Sequence, residues 1–154
     1  ITGSGERYSS NIPEPFTFLP NGQRAILICD GSIISPFLEN FGRPARNTSF
    51  ESERNNEMSS IQAQYLLNSS NVQNKIYNSR LLQQLVTNKQ GKANDANIVI
   101  NELYLRILSR YPKESERNIA AAHLKSAGSG RSMGESVADL AWTLINTKEF
   151  ILKH

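Results

Sequence analysis

Cysteine is nearly absent. The 154 residues hold one, Cys29, so no internal disulfide can form. The two histidines, His123 and His154, make no zinc-ligand set with it, and no metal site is expected. Cys29 closes the apolar run Ala25-Ile26-Leu27-Ile28-Cys29 and reads as a small buried hydrophobe rather than a reactive thiol. Long apolar runs are missing as well, with no stretch of about 18 such residues to cross a bilayer. Charge of one sign is in short supply: Lys+Arg 17 against Asp+Glu 14 leaves +3, and a nucleic-acid binder needs a clustered basic face, so no nucleic-acid partner is expected. Neither histidine sits where a catalytic base is recognisable. The chain opens Ile1-Thr2-Gly3 with no initiator methionine, charged n-region or apolar h-region, as expected of a processed product or an excised piece.

What is present suffices for one domain, or a compact core with one ordered extension, with 38% hydrophobic and 20% charged residues. Residues 1–23 carry Pro13, Pro15 and Pro20 among several glycines, which bars regular helix and predicts an extended segment. Its Ile12, Phe16, Phe18 and Leu19 are too apolar for a solvated linker, so the segment is expected to wrap along the body of the molecule. Residues 24–58 read as an ordered loop with one short helix, opened by Ser35 as N-cap and Pro36 at N1 and stopped by Gly42.

From residue 59 to 154 the periodicity is helical. Capping signatures begin at Ser59, Ser70 and Ser132, and Ser79 can cap a further helix. The clearest helix starts at Asn94 or Asp95, with Val99, Ile100, Leu103, Tyr104, Ile107 and Leu108 on one wide face, and stops at Tyr111-Pro112. The next places Ile119, Ala122 and Leu124 inward, and the one after it Val137, Leu140, Ala141, Leu144 and Ile145. A last turn covers Lys148 to Ile151. The predicted fold is mainly α: an orthogonal or antiparallel bundle of about six helices, in a domain spanning 24–154, with the extended N-terminal segment packed on it.

One segment asks for a chemical explanation. Between Gly42 and Glu57 lie Arg43, Arg46 and Arg54 against Glu51, Glu53 and Glu57. Such guanidinium and carboxylate groups can neutralise one another and satisfy backbone carbonyls that no ladder serves. Alternatively, one or two arginines converge on an external acidic ligand such as a sulfated or carboxylated glycan. An enzyme would draw on the pairs Glu51 and Glu53 or Glu53 and Glu57, but neighbouring arginines depress carboxylate pKa values and spoil a general acid. His123 reads as a surface or boundary residue and Trp142 as a core anchor.

The pattern Phe41-Gly42-Arg43-Pro44-Ala45-Arg46, then Glu51-Ser52-Glu53-Arg54, then Leu66-Leu67-Asn68-Ser69, together with Glu102 to Pro112 and Asp139 to His154, closely resembles the C-terminal domain of the planctomycete-type cytochrome-associated proteins, a family of unknown function. The resemblance covers residues 24–154. It implies the last part of a large exported, periplasmic or cell-envelope protein, often with a haem-binding cytochrome c domain upstream. This stretch has no Cys-x-x-Cys-His and no cofactor is expected on it. The implied role is noncatalytic scaffolding or docking, with other domains of the parent protein or envelope-complex subunits as partners.

Overall fold

A computed structural model of the chain describes residues 2–19, 22–28, 31–43, 60–87, 94–126 and 132–152. Among them are eight α-helices, one short 3-10 helix and one two-stranded sheet, a mainly helical protein. The chain forms two compact units, Ser4–Gln62 and Ala63–His154, the latter including Ile1–Gly3.

In Ser4–Gln62, strands β1 (Ser9–Ser10) and β2 (Ile33–Ile34) pair antiparallel, Ser9 opposite Ile34 and Ser10 opposite Ile33. Two-residue strands contribute few ladder bonds, so side chains complete the fastening. Ser10 Oγ donates to Ser32 Oγ at 3.1 Å, Thr17 Oγ1 lies 3.2 Å from the same oxygen, and the Tyr8 hydroxyl donates to the Gln23 carbonyl at 3.0 Å. Among the described residues of this unit, Ile28 and Ile33 are the buried apolar ones. Helix α1 (Pro36–Asn40) starts as its sequence dictates, with Ser35 Oγ accepting from Leu38 N and Pro36 in the first turn; Gly42 follows at φ 87, a conformation glycine adopts at little cost.

The aromatic residues of this unit depart from expectation. Phe16 and Phe18 are 81% and 77% exposed, and Ile12 is exposed too. A turn closed by Phe16 N and the Pro13 carbonyl directs Thr17 inward, to its hydroxyl partner, and leaves the flanking rings outward.

Helix α2 (Ser60–Asn68) crosses the boundary between the units. Beyond it the second unit comprises α3 (Ser70–Tyr77), α4 (Arg80–Val86), α5 (Ala96–Leu108), α6 (Glu114–Ser126), α7 (Met133–Ile145) and α8 (Lys148–Ile151). α7 touches α3, α4, α5, α6 and α8, and α5 touches α4, α6, α7 and α8, so these two helices form the centre. Their sequences explain why. All six residues assigned to the wide face of α5 are buried, and α7 buries Ser136, Val137, Ala138, Leu140, Ala141, Leu144 and Ile145, the small residues allowing neighbouring helices to approach.

Two readings shift by one residue. The N-cap of α3 is Ser69, not Ser70, accepting from Val72 N. On α6 the buried face is Ala120 and Leu124, turned toward the neighbouring α5 and α7, while Ile119 is 73% exposed and Ala122 is exposed as well. Ser132 makes the full capping box expected of it with Glu135. The cap assigned to Ser59 lies outside the described residues.

Ser79 has two tasks. Its buried Oγ accepts from Leu82 N at 3.2 Å, capping α4, and donates to the Thr2 carbonyl at 2.9 Å, fastening the first residues of the chain to the helical unit. Ser79→Ala is expected to cost about 1–2 kcal/mol in urea unfolding, because it removes a cap and the part-buried bond to the Thr2 carbonyl. A loss of less than about 0.5 kcal/mol would show that neither bond carries weight.

Candidate functional site

Of the six charged residues singled out in the loop, the structure describes Arg43. It is half-buried, and its Nη1 donates to the Ile33 carbonyl in β2 at 2.8 Å, holding a backbone acceptor at the end of the small sheet. Burial raises the pKa of Tyr8, Glu6 raises it further, and Arg43 opposes the rise. Arg46, Glu51, Glu53, Arg54 and Glu57 lie outside the described residues, as does Cys29.

The strongest charged constellation elsewhere surrounds Arg110, just beyond α5. Ser109 ends that helix in the left-handed conformation, φ 55, and the chain turns toward α6. The guanidinium then meets two carboxylates. Nη1 and Nη2 donate to Glu116 Oε2 and Oε1, both at 2.8 Å, while Nε and Nη2 donate to Glu149 Oε1 and Oε2 at 2.6 and 2.7 Å. Nη1 also donates to the Tyr111 carbonyl at 3.0 Å, and the guanidinium carbon lies 5.6 Å from the centre of the Tyr104 ring. Glu116 in turn accepts from Lys113 N at 2.7 Å, sealing the first turn of α6.

One cation therefore ties the end of α5, the start of α6 and α8 together. The Arg110 hydrogen bonds, with that from Lys113 N, hold the Glu116 carboxyl down at about 2, although partial burial works against them. The hydrogen bonds to Glu116 and Glu149 push Arg110 above the ordinary guanidinium range. Burial raises the Tyr104 hydroxyl. A carboxylate held this firmly in its charged form is a poor general acid, and the cluster acts as a clamp.

Sequence reasoning did not bring these residues together. Glu116 three positions after Lys113 is a legible first-turn acid, but Glu149 lies 39 positions from Arg110 and nothing in the local pattern links them.

A third arrangement lies between α3 and α7. Gln73 and Tyr77 from one helix and Asp139, Trp142 and Thr143 from the other line an open cleft of about 320 Å³. The Tyr77 hydroxyl donates to Asp139 Oδ1, and Thr143 Oγ1 donates to the Asp139 carbonyl at 2.9 Å. Trp142 is half-buried, and its indole nitrogen is shielded from solvent with no acceptor. His123 occupies the boundary position read from the sequence, half-buried on α6.

Among the described residues, no three His, Cys, Asp or Glu side chains converge in a way that could hold a metal ion. No helix among them is long and apolar enough to cross a membrane.

No curated protein and no solved structure matches the chain. The family model described as PSD1, protein of unknown function (DUF1553), matches residues 20–124, more than half of the sequence, and the chain belongs to that family.

Proposed function

We propose that this chain is a noncatalytic docking domain, the C-terminal part of a larger exported or envelope protein, and that it joins other domains of that protein or subunits of its complex. The observation that carries the reading is the concentration of exposed apolar side chains in one short stretch of Ser4–Gln62: Phe16, Phe18 and, at 86% exposure, Ile26, with Ile12 and Leu27 beside them in sequence. Large apolar groups left in water at this density are characteristic of surfaces that a partner covers. The planctomycete-type resemblance supports the same reading, and any haem of the parent protein belongs to an upstream cytochrome domain.

The test is binding between this chain and the separately produced upstream segments of its parent protein, with Phe16→Ser, Phe18→Ser and Ile26→Ser compared singly and together. The docking reading expects at least one segment to bind with a dissociation constant of about 10 μM or tighter, and the triple variant to lose about 100-fold or more. Absence of binding to every segment at concentrations of about 1 mM would end it.

A further inference from the structure

We infer that residues 2–5 form a strap that regulates the docking stretch: seated on α4, the strap keeps in order the loop that presents Ile26 and Leu27. The inference rests on the docking reading and adds a control to it. Both ends of the strap are closely fitted, each within its own unit. At one end the buried Ser79 hydroxyl donates to the Thr2 carbonyl at 2.9 Å, and Gly3 lies so near Leu81 that a Cβ there would fall 2.8 Å from Leu81 Cδ1. Gly3 also stands at φ 67, where a residue with a Cβ is strained. At the other end a Cβ on Gly5 would fall 2.9 Å from the Gly22 Cα, so these two backbone segments touch, and the Tyr8 hydroxyl donates to the neighbouring Gln23 carbonyl at 3.0 Å.

Gly22 and Gln23 lead into the 3-10 turn Ala25–Leu27, whose Ile26 and Leu27 are exposed apolar groups of the docking stretch. That turn is closed by Leu27 N donating to the Arg24 carbonyl at 2.9 Å and Ile28 N to the Ala25 carbonyl at 3.2 Å. Ser4 alone separates the two fitted glycines, so a restraint at Gly3 reaches Gly5, and through it Gly22, along the peptide chain itself.

The strap is also poised to lift. Gly3, Ser4, Gly5 and Leu81 are all exposed, so seating it removes little apolar area from water, and ordering a glycine costs more backbone entropy than ordering any other residue. Segments of this kind open at lower free energy than a packed core such as that of α5 and α7. A docking loop ordered before its partner arrives binds more tightly than one that is ordered on binding, so a lifted strap weakens docking.

Two variants lift the strap from opposite sides. Gly3→Ala places a Cβ at the left-handed position and against Leu81, while Ser79→Gly removes the hydroxyl donor and keeps a residue type that an N-cap tolerates. The first readout is amide hydrogen exchange in the full chain without a partner. The Leu27 and Ile28 amides are expected to exchange about tenfold faster in each variant, with no further gain in the double variant and unchanged rates in α5 and α7. The second readout is affinity for the upstream segment of the parent protein that binds most tightly, expected to fall about tenfold in each variant. Where Ser79→Gly weakens α4 itself, Gly3→Ala, at an exposed residue, carries the test.

Leu27 and Ile28 amides that keep the rates of the unaltered chain in both variants would overturn the inference. Acceleration shared equally with α5 and α7 would do the same, because it marks loosening of the whole fold. Unchanged affinity in both variants would overturn the control of docking even where exchange is faster. If no upstream segment binds the unaltered chain, the docking reading falls by itself, and the exchange rates still decide whether the strap orders the loop.

Discussion

Leu103→Ala is expected to destabilise the protein by about 2–5 kcal/mol, the largest effect of any change considered, while Ile119→Ala stays within about 0.5 kcal/mol. Both substitutions remove a branched aliphatic side chain from a helix of the same unit, and their surroundings differ completely. Leu103 is 0% exposed on α5, which touches α4, α6, α7 and α8, so truncation leaves a cavity that several packed elements cannot close. Ile119 points into water on α6, where alanine has the better helix propensity. Urea unfolding of the two variants beside the parent measures the contrast. Comparable losses at both positions would mean that α6 buries the Ile119 face after all.

Arg110→Ala should cost about 2 kcal/mol at neutral pH and should also change the shape of the acid limb. Arg110 and Glu116 are 29% and 30% exposed at their side chains and Glu149 is 41% exposed, so both pairs are screened, the second more, yet the guanidinium serves two carboxylates in two-bond geometry. Removing it loses both pairs and leaves Glu116 and Glu149 facing each other without their cation.

The pH dependence follows from Glu116, lowered from 4.5 to about 2 in the folded protein. A depressed carboxylate contributes its stability above the unfolded-state pKa and loses it as pH falls through the folded one. The contribution is therefore full above about pH 4.5 and fades toward pH 2, amounting to about 1–2 kcal/mol once solvent screening is allowed for. In Arg110→Ala that fall should be clearly smaller, since the Lys113 N bond remains to lower Glu116, and Arg110→Lys should restore only a minor part, since an ammonium cannot present the same fork to two carboxylates. Parallel stability profiles for parent and variant between pH 5 and pH 2 would count against the clamp.

The contrast between these two sites shows what was legible beforehand. The face of α5 and the start of α7 could be read directly, because six large apolar residues at helical spacing and a complete capping box at Ser132 leave one consistent solution. α6 was harder, since its buried stripe rests on Ala120 and Leu124 while its bulkiest aliphatic residue faces water; period alone could not choose between two sparse faces. The Arg110 clamp was beyond reach, because it joins residues far apart in sequence whose individual contexts are ordinary for surface charges. In the N-terminal segment, composition said that aromatic residues would be covered, whereas a turn between Pro13 and Phe16 decides which side chains face inward, and it selects Thr17. For the Arg/Glu loop, the described part shows one arginine, Arg43, engaged with a backbone carbonyl of the small sheet.

On the proposed docking reading, this domain meets its partners through apolar surface, while Arg43 and Arg110 are engaged in holding the fold. The most direct measurement is the affinity of the chain for its parent protein's upstream segments as ionic strength rises from about 0.05 to about 0.5 M. Apolar docking predicts an affinity that stays within about threefold across that range, because burial of apolar area is little affected by screening. A steep fall with salt, on the order of 100-fold, would contradict the claim and transfer the recognition to arginines such as Arg43, Arg46 and Arg54, gripping an acidic ligand.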